Sequence, residues 1–426
     1  MTDQTERLGT QASRTEERRL SSMEPILSQV TLYLPSIVQA LTNTDEAIDI
    51  QNVNLDVKRT GWRVGRFYDG RVSYFRGSDP AERQVDFFVK LFGAPEDGER
   101  APMPLKMEHR LYQIMEGSGV VPRAFTFSEL DGFLILEHGG RLTSEDKLAS
   151  PAPEPDDSCP LEETILSNIA KFNAWAYQQA SVIYQQQDIR RWVSEKRPTA
   201  ERAIRYFTDF LAARHLEEDP ERIRQFGEKY KVFERMYGEN GKQPVHGDLR
   251  RQNIVGPSGE EWNEHNIKIV DLGLVEADPL YSVAQFITSP GRNADPGLWN
   301  TLMEHYKREE ASQTGICGGR GIRFNREAMQ RAYSRFYIST VHSSMRGLAK
   351  MAVLRNEFPK DHERLLVARP VLRNHDAEMF ENLQTAVHYI ARNTKELGFG
   401  SGEFNDVKCI EEAVNSYKEK VVDYHE

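Results

Sequence analysis

The chain has 426 residues, 39% hydrophobic and 28% charged, enough for one large domain or two to three smaller ones with a real core. Its net charge of −10 argues against a nucleic-acid binder, which presents a basic face, and mildly favours a cationic substrate. Three scattered cysteines (Cys159, Cys317, Cys409) without a C-x-x-C pair make no disulfide framework or zinc site. No apolar run approaches a membrane span and the first residues are too polar for a secretory signal, so a cytoplasmic protein without membrane or nucleic-acid partners is expected.

Residues 1–48 read as an N-terminal extension. Its charged start is expected to be disordered. Met23 to Leu41 then carries Ile26, Val30, Leu34, Ile37, Val38 and Leu41 at helical spacing around Pro35. This predicts a short, kinked amphipathic helix that packs on the domain after it. Residues 49–140 turn to strands: Val53–Val57, Arg71–Phe75 and Val85–Phe92, a helix over Leu105–Glu116, then strands Ala124–Glu129 and Phe133–Glu137 around an Asp-Gly turn. The expectation is a small antiparallel sheet carrying one helix. Residues 141–160, rich in Pro, Ser and acids, read as a linker. Residues 161–426 are mainly helical: Leu161–Gln187, Ala200–Arg214, Pro220–Tyr237, and several helices from about 297 to 420. The glycine-rich run 315–321 has the composition of a phosphate cradle, but no strand precedes it, so a flexible connection is expected.

Two apolar β-type segments interrupt the helical half, and between them lies PVHGDLRRQNIV, residues 244–255, followed by DLG at 271–273. So polar a run must sit on a turn. The turn gathers Asp248 and Asn253, with Asp271 at the end of the returning strand. Two carboxylates and an amide oxygen are hard ligands that suit Mg²⁺ and chemistry on a hydroxyl.

His246-Gly-Asp-x-x-x-x-Asn253 with Asp271-Leu-Gly273 resembles the catalytic loop and metal motif of the protein-kinase-like superfamily. Gly after His resembles its small-molecule branch, the aminoglycoside phosphotransferase and choline kinase-type enzymes. So does the direct run from Asp271 into Ala277-Asp-Pro279, without the long insertion and Ala-Pro-Glu of protein kinases. The resemblance covers roughly residues 50–290. It implies a bilobal α+β fold, with a small antiparallel sheet as N-lobe, a large mainly helical C-lobe, and a cleft between them.

It also implies roles. Asp248 would be the base, and Asn253 and Asp271 the Mg²⁺ ligands. Lys90, inside an apolar strand and so in need of a charged partner, would meet the ATP α- and β-phosphates, steadied by Glu108. Arg250 would stabilise the transferring group, unless it is merely solvated. His246 would brace the loop. Gly65, Gly70 and Val72 resemble the nucleotide loop with Phe67 replacing its middle glycine; the other reading is a plain hairpin turn at Asp69-Gly70. The Glu137 carbonyl and Gly139 amide would hold the adenine edge. The expected function is ATP- and Mg²⁺-dependent phosphoryl transfer to a hydroxyl of a small molecule. An atypical protein kinase and a non-catalytic nucleotide-binding scaffold are the alternatives. The acceptor is unspecified: Glu304, Glu309, Glu310, Asp376, Glu378 and Glu381 would suit an amino sugar or quaternary amine, or form only a solvated face.

Overall fold

In the computed structural model the described residues are 30–60, 65–92, 105–128, 132–140, 142–143, 160–189, 199–213, 220–238, 243–258, 260–277, 279–287, 304–313, 326–357, 359–360, 362–363 and 375–416. The charged start, most of the linker expected over 141–160, and the glycine-rich run at 315–321 lie outside them. Contacts divide the chain into two units, Met1–Gly140 with Lys268–Val270, and Arg141–Ile267 with Asp271–Glu426.

The first unit opens with helix α1, residues 30–42, which runs through Pro35 without a break. Strands β1 (Ile48–Thr60), β2 (Gly65–Arg76) and β3 (Asp79–Phe92) follow, then α2 (Leu105–Met115), β4 (Ala124–Ser128) and β5 (Phe133–Glu137). The sheet order is β1-β2-β3-β5-β4, antiparallel throughout. Alternation gives it two distinct faces. On one, Tyr68, Val72 and Tyr74 of β2, Phe87 and Val89 of β3, and Phe133 and Ile135 of β5 form a core with Val30, Leu34, Ile37 and Val38 of α1. Burying each of those α1 side chains is worth about 1.5–3 kcal/mol, which outweighs the hydrogen bond that Pro35 cannot donate. The Ala40 carbonyl near the end of α1 accepts from the Arg123 guanidinium at 3.1 Å. The opposite face, by the same alternation, carries Asp69 and Arg71 of β2 with Asp86 and Lys90 of β3. Arg71 and Asp86 are paired there at 2.7 Å.

The second unit contains a short strand β6 (Leu142–Thr143), then α3 (Pro160–Gln178), α4 (Ala180–Gln185), α5 (Ala200–Ala213) and α6 (Pro220–Gly238). Proline opens both α3 and α6, where its missing N–H has no partner to lose. The single helix expected over 161–187 breaks at Gln179. A hairpin of β7 (Gln243–His246) and β9 (Leu274–Ala277) encloses β8 (Ile254–Gly256), which pairs with β6. Helices α7 (Leu280–Ile287), α8 (304–313), α9 (Arg326–Glu357), α10 (His375–Arg392) and α11 (Phe404–Asn415) complete it. Helix α9, about 48 Å long at 1.5 Å per residue, buries Ile338, Val341, Met345, Leu348 and Ala352 along one stripe, and α5 and α10 pack against it. The architecture is α+β: a five-stranded antiparallel sheet with its helices, and a mainly helical second unit. Among the described residues no helix is long and apolar enough to cross a membrane.

Candidate active site

The polar run 246–253 sits on a turn, as its composition requires. β7 ends at His246, whose register partner on β9 is Leu274; Gly247 and Asp248 form the turn, and Arg251–Asn253 a single 3₁₀ turn leading into β8. The Gly247 N–H donates to the Gly273 carbonyl at 2.6 Å, which joins the loop to the DLG segment. A Cβ at Gly247 would lie 2.7 Å from that oxygen and 2.5 Å from Val275 Cγ1, so only glycine fits. His246 is fully buried. Its Nδ1 accepts from the Asp248 N–H at 3.1 Å, and its carbonyl accepts from Ser282 Oγ at 3.2 Å. With Nδ1 accepting, neutral imidazole carries its proton on Nε2.

Asp248 presents a half-exposed carboxylate, and Arg250 Nε lies 2.7 Å from its Oδ1. Asn253 donates its Nδ2 to the Asp248 carbonyl at 2.7 Å, which commits its amino end and leaves Oδ1 as the end able to meet a cation. Arg251 is buried, its guanidinium 5.7 Å from the Phe286 ring centroid, so it is a structural cation. Asp271 is exposed and held at φ 58°, a left-handed backbone that costs a non-glycine residue about 1–2 kcal/mol. Burial of Leu272 and Leu274 just after it and the Gly247–Gly273 bond hold it there. Strain sustained by its surroundings motivates a functional reading of such a residue. Among the described residues no three His, Cys, Asp or Glu side chains cluster to hold a metal ion. One amide oxygen and one carboxylate are the donors on offer. That set fits Mg²⁺, which binds through one or two carboxylates and takes its other ligands from water and phosphate.

In the first unit, Lys90 Nζ meets Glu108 Oε1 at 2.7 Å, with the two residues only 8% and 3% exposed. The partner that a lysine in a buried strand requires is therefore present. Glu108 comes to it because α2 buries Leu105, Glu108, Leu111, Tyr112 and Met115 on one helical face. At the end of β5 the Glu137 N–H donates to the Arg123 carbonyl at 2.8 Å, and the Glu137 carboxylate accepts from the Arg123 N–H at 3.0 Å. Next to it, His138 Nε2 lies 3.2 Å from Asp69 Oδ1 on β2, while its Nδ1 accepts from the Gly140 N–H at 3.2 Å. This brace beside Gly139 was not read from the sequence.

The residues read as a nucleotide loop lie on a strand. Gly65 to Val72 is all strand, and neither a loop nor an Asp69-Gly70 turn occurs there. The β1–β2 connection is 61–64, outside the described residues, and Gly65 is the residue next to it. Gly70 is glycine for packing: a Cβ there would lie 2.3 Å from the Phe87 ring. Val72 is fully buried in the core shared with α1. Both are on the face opposite Lys90, where they serve the core. The register partner of Lys90 on β2 is Phe67. The acids of the helical half also separate: Asp376 is buried and paired with Arg355 at 2.8 Å, Glu310 is buried, and Glu304 pairs with Lys307 at 3.5 Å.

No protein-family model and no curated protein matches the chain. Among solved structures it is similar to a Plasmodium vivax ethanolamine kinase, at 14% identity and a TM-score of 0.42 over 70% of this chain and 77% of that one. It is similar also to a choline kinase of Streptococcus pneumoniae, at 10% identity and 0.39 over 83% and 98%. A third is an aminoglycoside 2'-phosphotransferase in complex with GDP, at 12% identity and 0.43 over 83% and 97%. At such identities and scores the likeness assigns no role to any residue. The solved structures this chain is similar to are protein-kinase-like small-molecule kinases.

Proposed function

We propose that the chain is an ATP- and Mg²⁺-dependent phosphotransferase that moves the γ-phosphate to a hydroxyl of a small molecule. The observation that carries this reading is the hydrogen-bonded frame of the second unit. One short bond, Gly247 N–H to Gly273 O, ties the turn bearing Asp248 and Asn253 to the strained segment bearing Asp271. The buried Lys90–Glu108 pair supports a phosphate-binding cation in the first unit.

Phosphoryl transfer asks the protein for position, charge and a proton acceptor. Asn253 and Asp271 would hold Mg²⁺, which when bound supplies positive charge against the phosphate oxygens. Lys90 would meet the α- and β-phosphates. Glu137 O and Gly139 N would take the adenine edge, as the resemblance implies. Asp248 would orient the acceptor hydroxyl and take its proton as the new O–P bond forms and the bond from the γ-phosphorus to the ADP oxygen breaks. Arg250 is then free to serve the transferring group. Its exposed pairing with Asp248 is worth only about 0–1 kcal/mol, so an incoming phosphate can exchange for it. Its release also leaves Asp248 open to the hydroxyl.

The test is ADP formation from Mg-ATP against amino alcohols, aminoglycosides, other hydroxylated metabolites and casein. Turnover on a small hydroxylated compound that is lost in Asp248→Asn supports the reading. Phosphorylation of casein alone supports an atypical protein kinase. No Mg-ATP binding and no transfer to anything overturns both.

A further inference from the structure

Helix α7 is only eight residues long and every one of them is buried. Inside it stands an amide, Gln285, 6% exposed. Its Oε1 accepts from the Leu249 N–H at 3.0 Å, and its Nε2 donates to the Gly247 carbonyl at 3.1 Å. Those two groups belong to the peptide planes on either side of the Asp248 Cα. One side chain therefore grips both planes whose orientation sets the Asp248 backbone angles. Ser282, one turn earlier on α7, binds the His246 carbonyl, and the buried His246 ring accepts from the Asp248 N–H. The amide of Gln285 is itself held: Nε2 lies 3.3 Å from Tyr281 Oη, which donates to Ser339 Oγ on α9 at 2.9 Å.

We propose that Gln285 is the positioning residue of the catalytic loop, the clamp that holds Asp248 at the angle its proton transfer needs. The proposal rests on the phosphotransferase reading of Asp248. The chemistry of the site explains why the residue is an amide. The clamp needs one donor and one acceptor on the same side chain. An ionised carboxylate only accepts, so Glu at 285 would set an oxygen against the Gly247 carbonyl and bury a charge. Methionine matches the length of glutamine and keeps the packing, but it loses both bonds. The Asp248 carboxylate is half-exposed and meets the exposed Arg250 guanidinium, a weak pairing that the phosphate is to displace, so its aim depends on the backbone below it.

The experiment uses the full chain as wild type, Gln285→Met and Gln285→Glu. Amide hydrogen exchange at Leu249 is read alongside steady-state kinetics with Mg-ATP, using the best acceptor of the panel above, or water if none is found. Two variants guard against one that fails to fold. In Gln285→Met, which loses both bonds, Leu249 exchange should rise on the order of tenfold. Gln285→Glu keeps an acceptor for the Leu249 N–H and loses only the donor to the Gly247 carbonyl. In both, kcat should fall on the order of 10²-fold, the usual effect of a misplacement near 1 Å. KM for ATP should stay within about twofold, with kcat counted per molecule able to bind Mg-ATP, because unfolded enzyme would lower apparent kcat without moving KM. Faster exchange at Leu249 with wild-type kcat in Gln285→Met overturns the positioning role, and so does a Leu249 amide that stays protected in that variant. A wild type without any phosphate transfer sinks the phosphotransferase reading instead. The clamp itself is then judged by exchange alone, and a Leu249 amide still protected in Gln285→Met would overturn it.

Discussion

Replacing Lys90 by methionine separates what the buried ion pair does for the fold from what it does for the nucleotide. The methionine keeps most of the lysine stem's packing, so the change is chiefly electrostatic. Glu108, 3% exposed, loses the ammonium 2.7 Å from its Oε1. Breaking a buried pair from one side costs about 3–5 kcal/mol, because the remaining charge is left in a poor solvent. Replacing both partners by apolar groups is often neutral, so Lys90→Met/Glu108→Leu should recover stability to within about 1 kcal/mol of wild type. Function should not recover. A lysine hydrogen bond to a charged group is worth about 1.5–3 kcal/mol, so kcat/KM for ATP should fall about 10- to 150-fold in the single and the double variant alike. KM for the acceptor should hardly move, since Lys90 is argued to serve ATP alone. Urea unfolding and initial-rate kinetics on the four proteins of the cycle give both answers. A double variant with wild-type ATP kinetics would remove Lys90 from the nucleotide site. A single variant as stable as wild type would show that the pair is not coupled.

Asp248→Asn should cut turnover about 10²–10⁴-fold while calorimetry finds Mg-ATP affinity nearly unchanged, since a base acts in the transition state; unchanged turnover would dismiss it from the mechanism. Asp271→Gly should abolish Mg²⁺-dependent nucleotide binding, yet leave thermal stability equal or higher by up to about 1 kcal/mol, because relief of φ 58° offsets the flexibility glycine adds to the unfolded chain. Wild-type Mg-ATP affinity in that variant would refute the ligand assignment. His342 lies against Tyr206 and Tyr230, and burial, with Arg346 and Arg202 nearby, pushes its pKa down to about 4. The unfolded chain therefore binds the extra proton first, and stability drains away as pH falls from 6.5 toward 4, by about 2 kcal/mol at pH 5. His342→Leu should flatten that part of the urea-unfolding profile, and an unchanged slope would clear His342 of the effect.

The sites that were legible in the sequence share one physical signature: a polar group where burial forbids it to stand alone. Lys90 could be read because Val85–Phe92 is a strand of apolar residues with one ammonium in it, and Glu108 because the helical period put a carboxylate on the buried face of α2. The 246–253 run declared itself a turn in the same way, and the five-strand sheet followed from alternation. The misreading at Gly70 arose where a local signal met a distant cause. Asp-Gly is the strongest short hairpin signal, but β2 continues straight through, paired with β1 and β3. Position 70 is glycine because the Phe87 ring, 17 residues away, occupies the space a side chain would need. Nothing near Gly70 encodes that ring. Gln285 carries the legible signature too. It is one of very few polar side chains in LYSVAQFI, a run too apolar to be anything but buried, and its amide must find partners there. What the sequence could not say is which partners, because they lie 36 and 38 residues upstream and meet it only once β7 and β9 have paired. The demand for a partner is local and can be read from composition and period. The identity of the partner is set by strand pairing, and the support beneath Asp248 belongs to that second class.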